Sequence, residues 1–194
     1  MPAFFPVSLQ LEGRPCVVIG AADDREAIEK AAALRESGAE VRWIQDVSAL
    51  RDEDVTGAFF VISTPQDPSL SARLRALADA HGFLLCCIDQ PKFGFVAMTA
   101  VAKAGPVRIA IATSGLAPRV GKILKERLQA AMDTRFAGFV TELGAKKVAM
   151  QAAVPGPEHA EERRAAMIAA ADGFDAEIRF TYPRWFEEGD VARR

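Results

Sequence analysis

Residues Gly82–Pro118 read GFLLCCIDQPKFGFVAMTAVAKAGPVRIAIATSGLAP, and the fold turns on them. Phe83 to Ile88 is an apolar run that ends on one carboxylate, Asp89. The turn Gln90-Pro91-Lys92 follows. Two strand-like runs come next, Phe93 to Ala104 and Val107 to Thr113, joined at Gly105-Pro106. Their tight connection predicts an antiparallel pair, whose edges need a covering surface. The second run ends in a small polar cluster, Thr113-Ser114-Gly115, before a helix that opens near Pro118. Open α/β sheets gather their functional groups in this way, at the carboxyl ends of strands.

Upstream, Pro15-Cys16-Val17-Val18-Ile19-Gly20 is a short apolar run ending in glycine, which predicts a buried parallel strand. A helix is expected from about Asp24 to Ser37, with Ala27, Ala31 and Leu34 on one face and Gly38 just past its end. Glu40 to Ile44 is the next strand. Strand, helix and strand form a βαβ unit with a right-handed crossover. Gly57 to Ser63 predicts a further buried strand, and Ser69 to His81 an amphipathic helix with Leu70, Leu74 and Leu77 on one face. His81 reads as a cap at the end of that helix. The fold class is therefore α/β, a Rossmann-like parallel sheet. A small β segment and a helical C-terminal region follow.

In a dinucleotide fold the first strand–helix turn seats a pyrophosphate and is rich in glycine. Here it is Gly20-Ala21-Ala22-Asp23-Asp24-Arg25, with one glycine and two adjacent carboxylates. One of these, Asp23 or Asp24, reads as an N-cap of the helix. Asp46 follows Gly20 by 26 residues, near the spacing expected of a ribose ligand, or else lies in a solvated loop.

The segments IDQPK and AVAKAGPVRIAIATSGLAP, with the helix VGKILKERLQ, resemble the precorrin-2 dehydrogenase/sirohydrochlorin ferrochelatase family of siroheme synthesis. That family carries a VVD-x-P turn, a G-P-L-x-I-A-I-S-T-S-G segment and a helix of the L-x-x-x-L-R-E-R-L kind. The opening FFPVSLQLEGRPCVVIGA is similar as well, and the likeness extends over roughly residues 1 to 130. It implies a division into a Rossmann-like domain (1–90), a strand-rich dimerisation segment (91–117) and a helical region with a tail (118–194). It also implies an intertwined homodimer that oxidises the tetrapyrrole precorrin-2 to sirohydrochlorin with NAD, ferrous iron being a further substrate of many members.

By that resemblance Asp89 is the general base, a role suited to a carboxylate at a desolvated strand end. Thr113, Ser114 and Gly115 stand beside the substrate, at a helix start that attracts carboxylates. Arg119 and Lys122 would steer a carboxylate-rich ligand. The cofactor contacts implied are Gly20, Ala22, Asp23, Asp46, Ser63 and Thr64. The sequence departs from the family at the glycine-poor turn, at a shortened polar stretch from Gln45 to Thr56, and at Cys86, which replaces an asparagine. The alternative is a non-redox chelatase, carrier or assembly protein that keeps the tetrapyrrole pocket and has lost NAD.

Composition narrows the classes. Lysine and arginine number 24 against 26 acidic residues, so no basic excess points to nucleic acid. No apolar run reaches membrane-spanning length, and the opening MPAFFPVSL lacks the marks of a secretion signal. Three cysteines and two histidines offer no zinc spacing, so no metal site is expected. Cys86 and Cys87, adjacent in a strand, point to opposite faces and cannot pair. All of this fits a cytoplasmic protein. Beyond Pro118 the helix carries Val120, Ile123, Leu124, Leu128 and Met132. Further helices are expected over Arg135–Val154 and Pro157–Ala171, with a break near Gly144. The tail from Phe174 stays unassigned.

Overall fold

The structure is a computed structural model that describes residues 5–191. Residues 1–4 of the opening and 192–194 of the tail lie outside the described residues. Four parallel strands build the main sheet: β1 (Pro15–Ile19), β2 (Glu40–Ile44), β3 (Phe60–Ser63) and β4 (Leu84–Cys87), in the order β2-β1-β3-β4. Helix α1 (Arg25–Glu36) links β1 to β2, and α2 (Pro68–His81) links β3 to β4. The register aligns Ile19 with both Ile44 and Ser63, and Ser63 with Cys87, so the strand C-terminal ends form one edge.

Strand alternation sorts the core into two layers. Cys16, Val18, Phe60, Ile62 and Cys86 pack with Ala27, Ala31 and Leu34 of α1. Val17, Ile19, Val61, Leu85 and Cys87 pack with Leu70, Leu74 and Ala78 of α2. Both faces are covered, which is why these strands are almost wholly apolar. Cys86 and Cys87 fall in different layers, as the side-chain period of two requires, and the cysteines at 16, 86 and 87 are all free and buried. The helices start where their caps dictate: Asp24 accepts from the Glu26 amide (2.9 Å), and Asp67 from those of Ser69 and Leu70 (2.8 and 3.2 Å).

Beyond β4 the structure departs from the sequence reading. The strand expected from Phe93 begins only at Ala100, because the amides of Phe95 and Val96 both donate to the Leu85 carbonyl (2.8 and 3.0 Å). That segment covers the outer edge of β4. Strands β5 (Ala100–Ala104) and β6 (Val107–Ile111) form a separate two-stranded sheet, and their two-residue connection can join only antiparallel strands. β6 stops short of Thr113. Helix α3 (Pro118–Ala131) follows. Helix α4 (Thr134–Ala153) runs unbroken through Gly144, where a break was expected, since one glycine costs a helix only about 1 kcal/mol. Then come α5 (Ala160–Ala170) and, in the unassigned tail, α6 (Arg184–Val191).

The chain forms two compact units. One comprises Met1–Ala102 with Arg108–Ala131, and the other Lys103–Val107 with Met132–Arg194. Every candidate site residue lies in the first. In the second, Phe174 stacks on Phe139 with ring centroids 5.2 Å apart.

Candidate functional site

The switch point of the sheet lies between β1 and β3, whose following helices go to opposite faces. Ligands of open α/β sheets bind in the crevice outside the strand ends at this point. Gly20–Asp24 borders it on one side, Ser63–Gln66 on the other. A shallow hollow of about 360 Å³ lined by Pro15, Glu40, Arg42 and Gly57 lies at the opposite, N-terminal edge and is not part of it.

Gly20 is held by two hydrogen bonds and has no room for a side chain. Its amide donates to Ile44 O (3.1 Å), its carbonyl accepts from Trp43 Nε1 (2.8 Å), and a Cβ there would lie 2.8 Å from that of Ala27 and still closer to the Thr64 hydroxyl. Only glycine fits such close strand–helix packing. Asp24, not Asp23, caps α1. Its second oxygen accepts a hydrogen bond from the Thr64 hydroxyl, which holds the carboxyl below the usual aspartate range. Ala22 and Asp23 are exposed. Asp46 caps its own short turn, accepting from the Ser48 amide (3.0 Å) and hydroxyl (2.6 Å). Those bonds lower its carboxyl's affinity for a proton. Ser63 is 1% exposed and its hydroxyl has no partner among the described residues.

A dinucleotide fits this crevice in two respects. The strand–helix turn is closely packed around a glycine, and an orphan buried hydroxyl stands at the end of β3. In a third respect the chain's own Asp24 carboxylate already sits on the α1 amides, so the anion cradle opens only when Asp24 turns aside.

Asp89 is exposed and stands at φ +57°, and Ser114 at +50°; among the described residues no other non-glycine has positive φ. Burial by this chain therefore does not supply the low-dielectric setting expected of the Asp89 carboxylate. Asp89 is the third residue of a turn closed by Gln90 N to Cys87 O (3.1 Å). Ser114 and Gly115 (φ +75°) are the central residues of a turn closed by Leu116 N to Thr113 O (2.9 Å). Positive φ at both central positions defines a type I′ turn. Thr113 and Ser114 are half-buried, while Gly115, Arg119 and Lys122 are exposed. The Thr113 methyl lies 3.4 Å from where a Cβ on Gly121 of α3 would be. Lys122 pairs with Glu126 at 4.0 Å on the same helix.

A sequence profile described as "Putative NAD(P)-binding" matches residues 7–100. The siroheme synthase of Nitrosococcus oceani is 26% identical over 144 residues, which is 65% of this chain and 30% of that protein. That of Gluconacetobacter diazotrophicus is 28% identical over 180 residues, 79% of this chain and 37% of the relative. Residues 7–100 are thus similar to the putative NAD(P)-binding family, and the chain as a whole is similar to the siroheme synthases. The resemblance read from the sequence is thereby borne out. The chain spans about a third of the length of the curated relatives it matches (30% to 37%). The solved structure "SirC, precorrin-2 dehydrogenase" superposes with a TM-score of 0.65 at 17% identity, over 88% of this chain and 90% of that one. At that identity the likeness speaks for the fold.

Residues that sequence reasoning missed are Gln66 and Gln90. Each stands three residues past the end of its strand, and the structure sets those ends, Ser63 and Cys87, in register. Among the described residues no cluster of His, Cys, Asp or Glu is suited to a metal, and no helix is long and apolar enough to cross a membrane.

Proposed function

We propose that this chain oxidises precorrin-2 to sirohydrochlorin in siroheme biosynthesis, with Asp89 as the base. The observation that carries the reading is the pair of left-handed non-glycine residues, Asp89 and Ser114. Each costs of order 1 kcal/mol or more, and such strain gathers at functional sites. Both lie in one compact unit of a relative of the siroheme synthases.

NAD(P) supplies the hydride acceptor in this reaction. The residues that would hold it are Gly20, Ala22, Asp23, Asp46, Ser63 and Thr64. Loss of hydrogen also releases a proton from the tetrapyrrole, and Asp89 takes it. The I′ turn, with Thr113, Ser114 and Gly115, holds substrate carboxylates through hydroxyls and amides, while Arg119 and Lys122 draw them in. Insertion of ferrous iron, as substrate, displaces protons from pyrrole nitrogens and uses the same base. The functional division remains 1–90, 91–117 and 118–194.

A homodimer completes the proposal. Leu116, Val120 and Ile123 in and before α3 are 76%, 51% and 41% exposed, an apolar face suited to a second copy. Such a partner would also desolvate exposed groups nearby. The free buried cysteines suit a reducing, cytoplasmic setting.

A second reading, a tetrapyrrole chelatase or carrier without dinucleotide, draws its support from Asp24 on the α1 amides. Thermal unfolding with NAD and NADP separates the two. Ligand at about 100 times its Kd stabilises by about 2.7 kcal/mol, whereas no shift at millimolar dinucleotide favours the second reading.

A further inference from the structure

We propose that Gln66 and Gln90 are positioning residues that hold Asp89 in its left-handed conformation. The inference rests on the reading of Asp89 as the base. Gln66 Nε2 donates to the Ile88 carbonyl (3.1 Å), and Gln90 Nε2 donates to the Pro65 carbonyl (3.0 Å). The two bonds run in opposite directions between the β3 and β4 loops and bracket Asp89. Both acceptors are carbonyls, so each amide must present its NH₂ and its orientation is fixed. The turn is anchored as well by Ile88 N to Ser63 O (2.9 Å).

The third position of such a turn favours glycine or asparagine. Aspartate there brings a carboxylate at the expense of backbone strain, and that conformation persists only where surrounding bonds over-determine it. Pro65 and Pro91 flank the two glutamines and narrow the backbone choices of Thr64 and Gln90. The clamp thus fixes where the carboxylate stands at the C-terminal edge of the sheet.

The test replaces each glutamine by methionine, which keeps length and loses the donor, singly and as the pair Gln66→Met/Gln90→Met. The ¹³Cα and ¹³Cβ shifts of Asp89 in the labelled protein respond to its backbone conformation and need no substrate. The double variant is expected to lose the positive-φ signature. On precorrin-2 with NAD or NADP its kcat is expected to fall roughly 10- to 100-fold, as displacement of a reacting group by about 1 Å does, with KM changed less than about twofold. A loss in KM alone would mark a binding role and overturn the inference. So would an unchanged Asp89 shift, or an unchanged kcat in the active enzyme. Asp89→Asn is the control: if it retains full activity the proposed role of Asp89 fails, while the shifts still decide whether the clamp sets its backbone.

Discussion

The Thr64 hydroxyl donates a hydrogen bond to the Asp24 carboxylate and so ties the end of β3 to the first turn of α1. The negative end of that tie stands where a dinucleotide fold seats its phosphates. Asp24→Ser keeps a capping oxygen and removes the charge. Its affinity for NAD or NADP is expected to rise about tenfold, equivalent to about 1.4 kcal/mol, by titration calorimetry. Unchanged or weaker binding would mean that Asp24 does not compete with the cofactor.

The same pair gives a pH signature. Thr64 depresses the Asp24 pKa in the folded state. The stability it confers is therefore complete above the unfolded value of about 3.9 and is lost as pH falls through the lower, folded one. Thr64→Val is expected to cost about 1 kcal/mol at pH 7. The gap in melting temperature should narrow as pH drops below about 4. A gap that stays constant from pH 7 to 3 would contradict the assignment.

At Asp89, stability and activity should separate. Asp89→Gly relieves a positive φ and is expected to leave the protein as stable or up to about 1 kcal/mol more stable, within the range by which left-handed positions favour glycine. Activity should be lost in the same variant. Loss of stability in denaturant unfolding would show that the carboxylate holds the fold instead.

The thiols offer a test of the core. Burial pushes Cys86 up to about 12 and raises Cys16 and Cys87 as well. Thiolates are the reactive species, so at pH 8 the native protein is expected to resist a thiol reagent at all three positions, and the unfolded chain to react at three. Rapid native labelling of any of them would contradict the burial described here.

Much of this was legible in advance. β1, β3 and β4 are continuous apolar runs because both their faces are buried, and their closing residues mark the site edge. The adjacent carboxylates Asp23 and Asp24 announced the start of α1. Four features were not legible, three because tertiary contacts decide them and one because a long helix absorbs its glycine. Phe93–Thr99 has strand-like composition, yet Phe95 and Val96 fold onto Leu85 instead. Gly144 interrupts nothing, since a 20-residue helix absorbs a single glycine. The choice between Asp23 and Asp24 was made by Thr64, 40 residues away. The glutamine pair escaped notice because neither residue alone has a motif; only the parallel register brings them opposite each other.

The most direct measurement is anaerobic conversion of precorrin-2 to sirohydrochlorin, followed by absorbance with NAD or NADP, for the wild type and Asp89→Asn. The account predicts turnover by the wild type and a loss of at least about 100-fold in kcat for the variant, the scale of general base catalysis, with dinucleotide affinity unchanged. Wild-type protein that leaves precorrin-2 untouched at millimolar dinucleotide, or an Asp89→Asn variant as fast as the wild type, would contradict it.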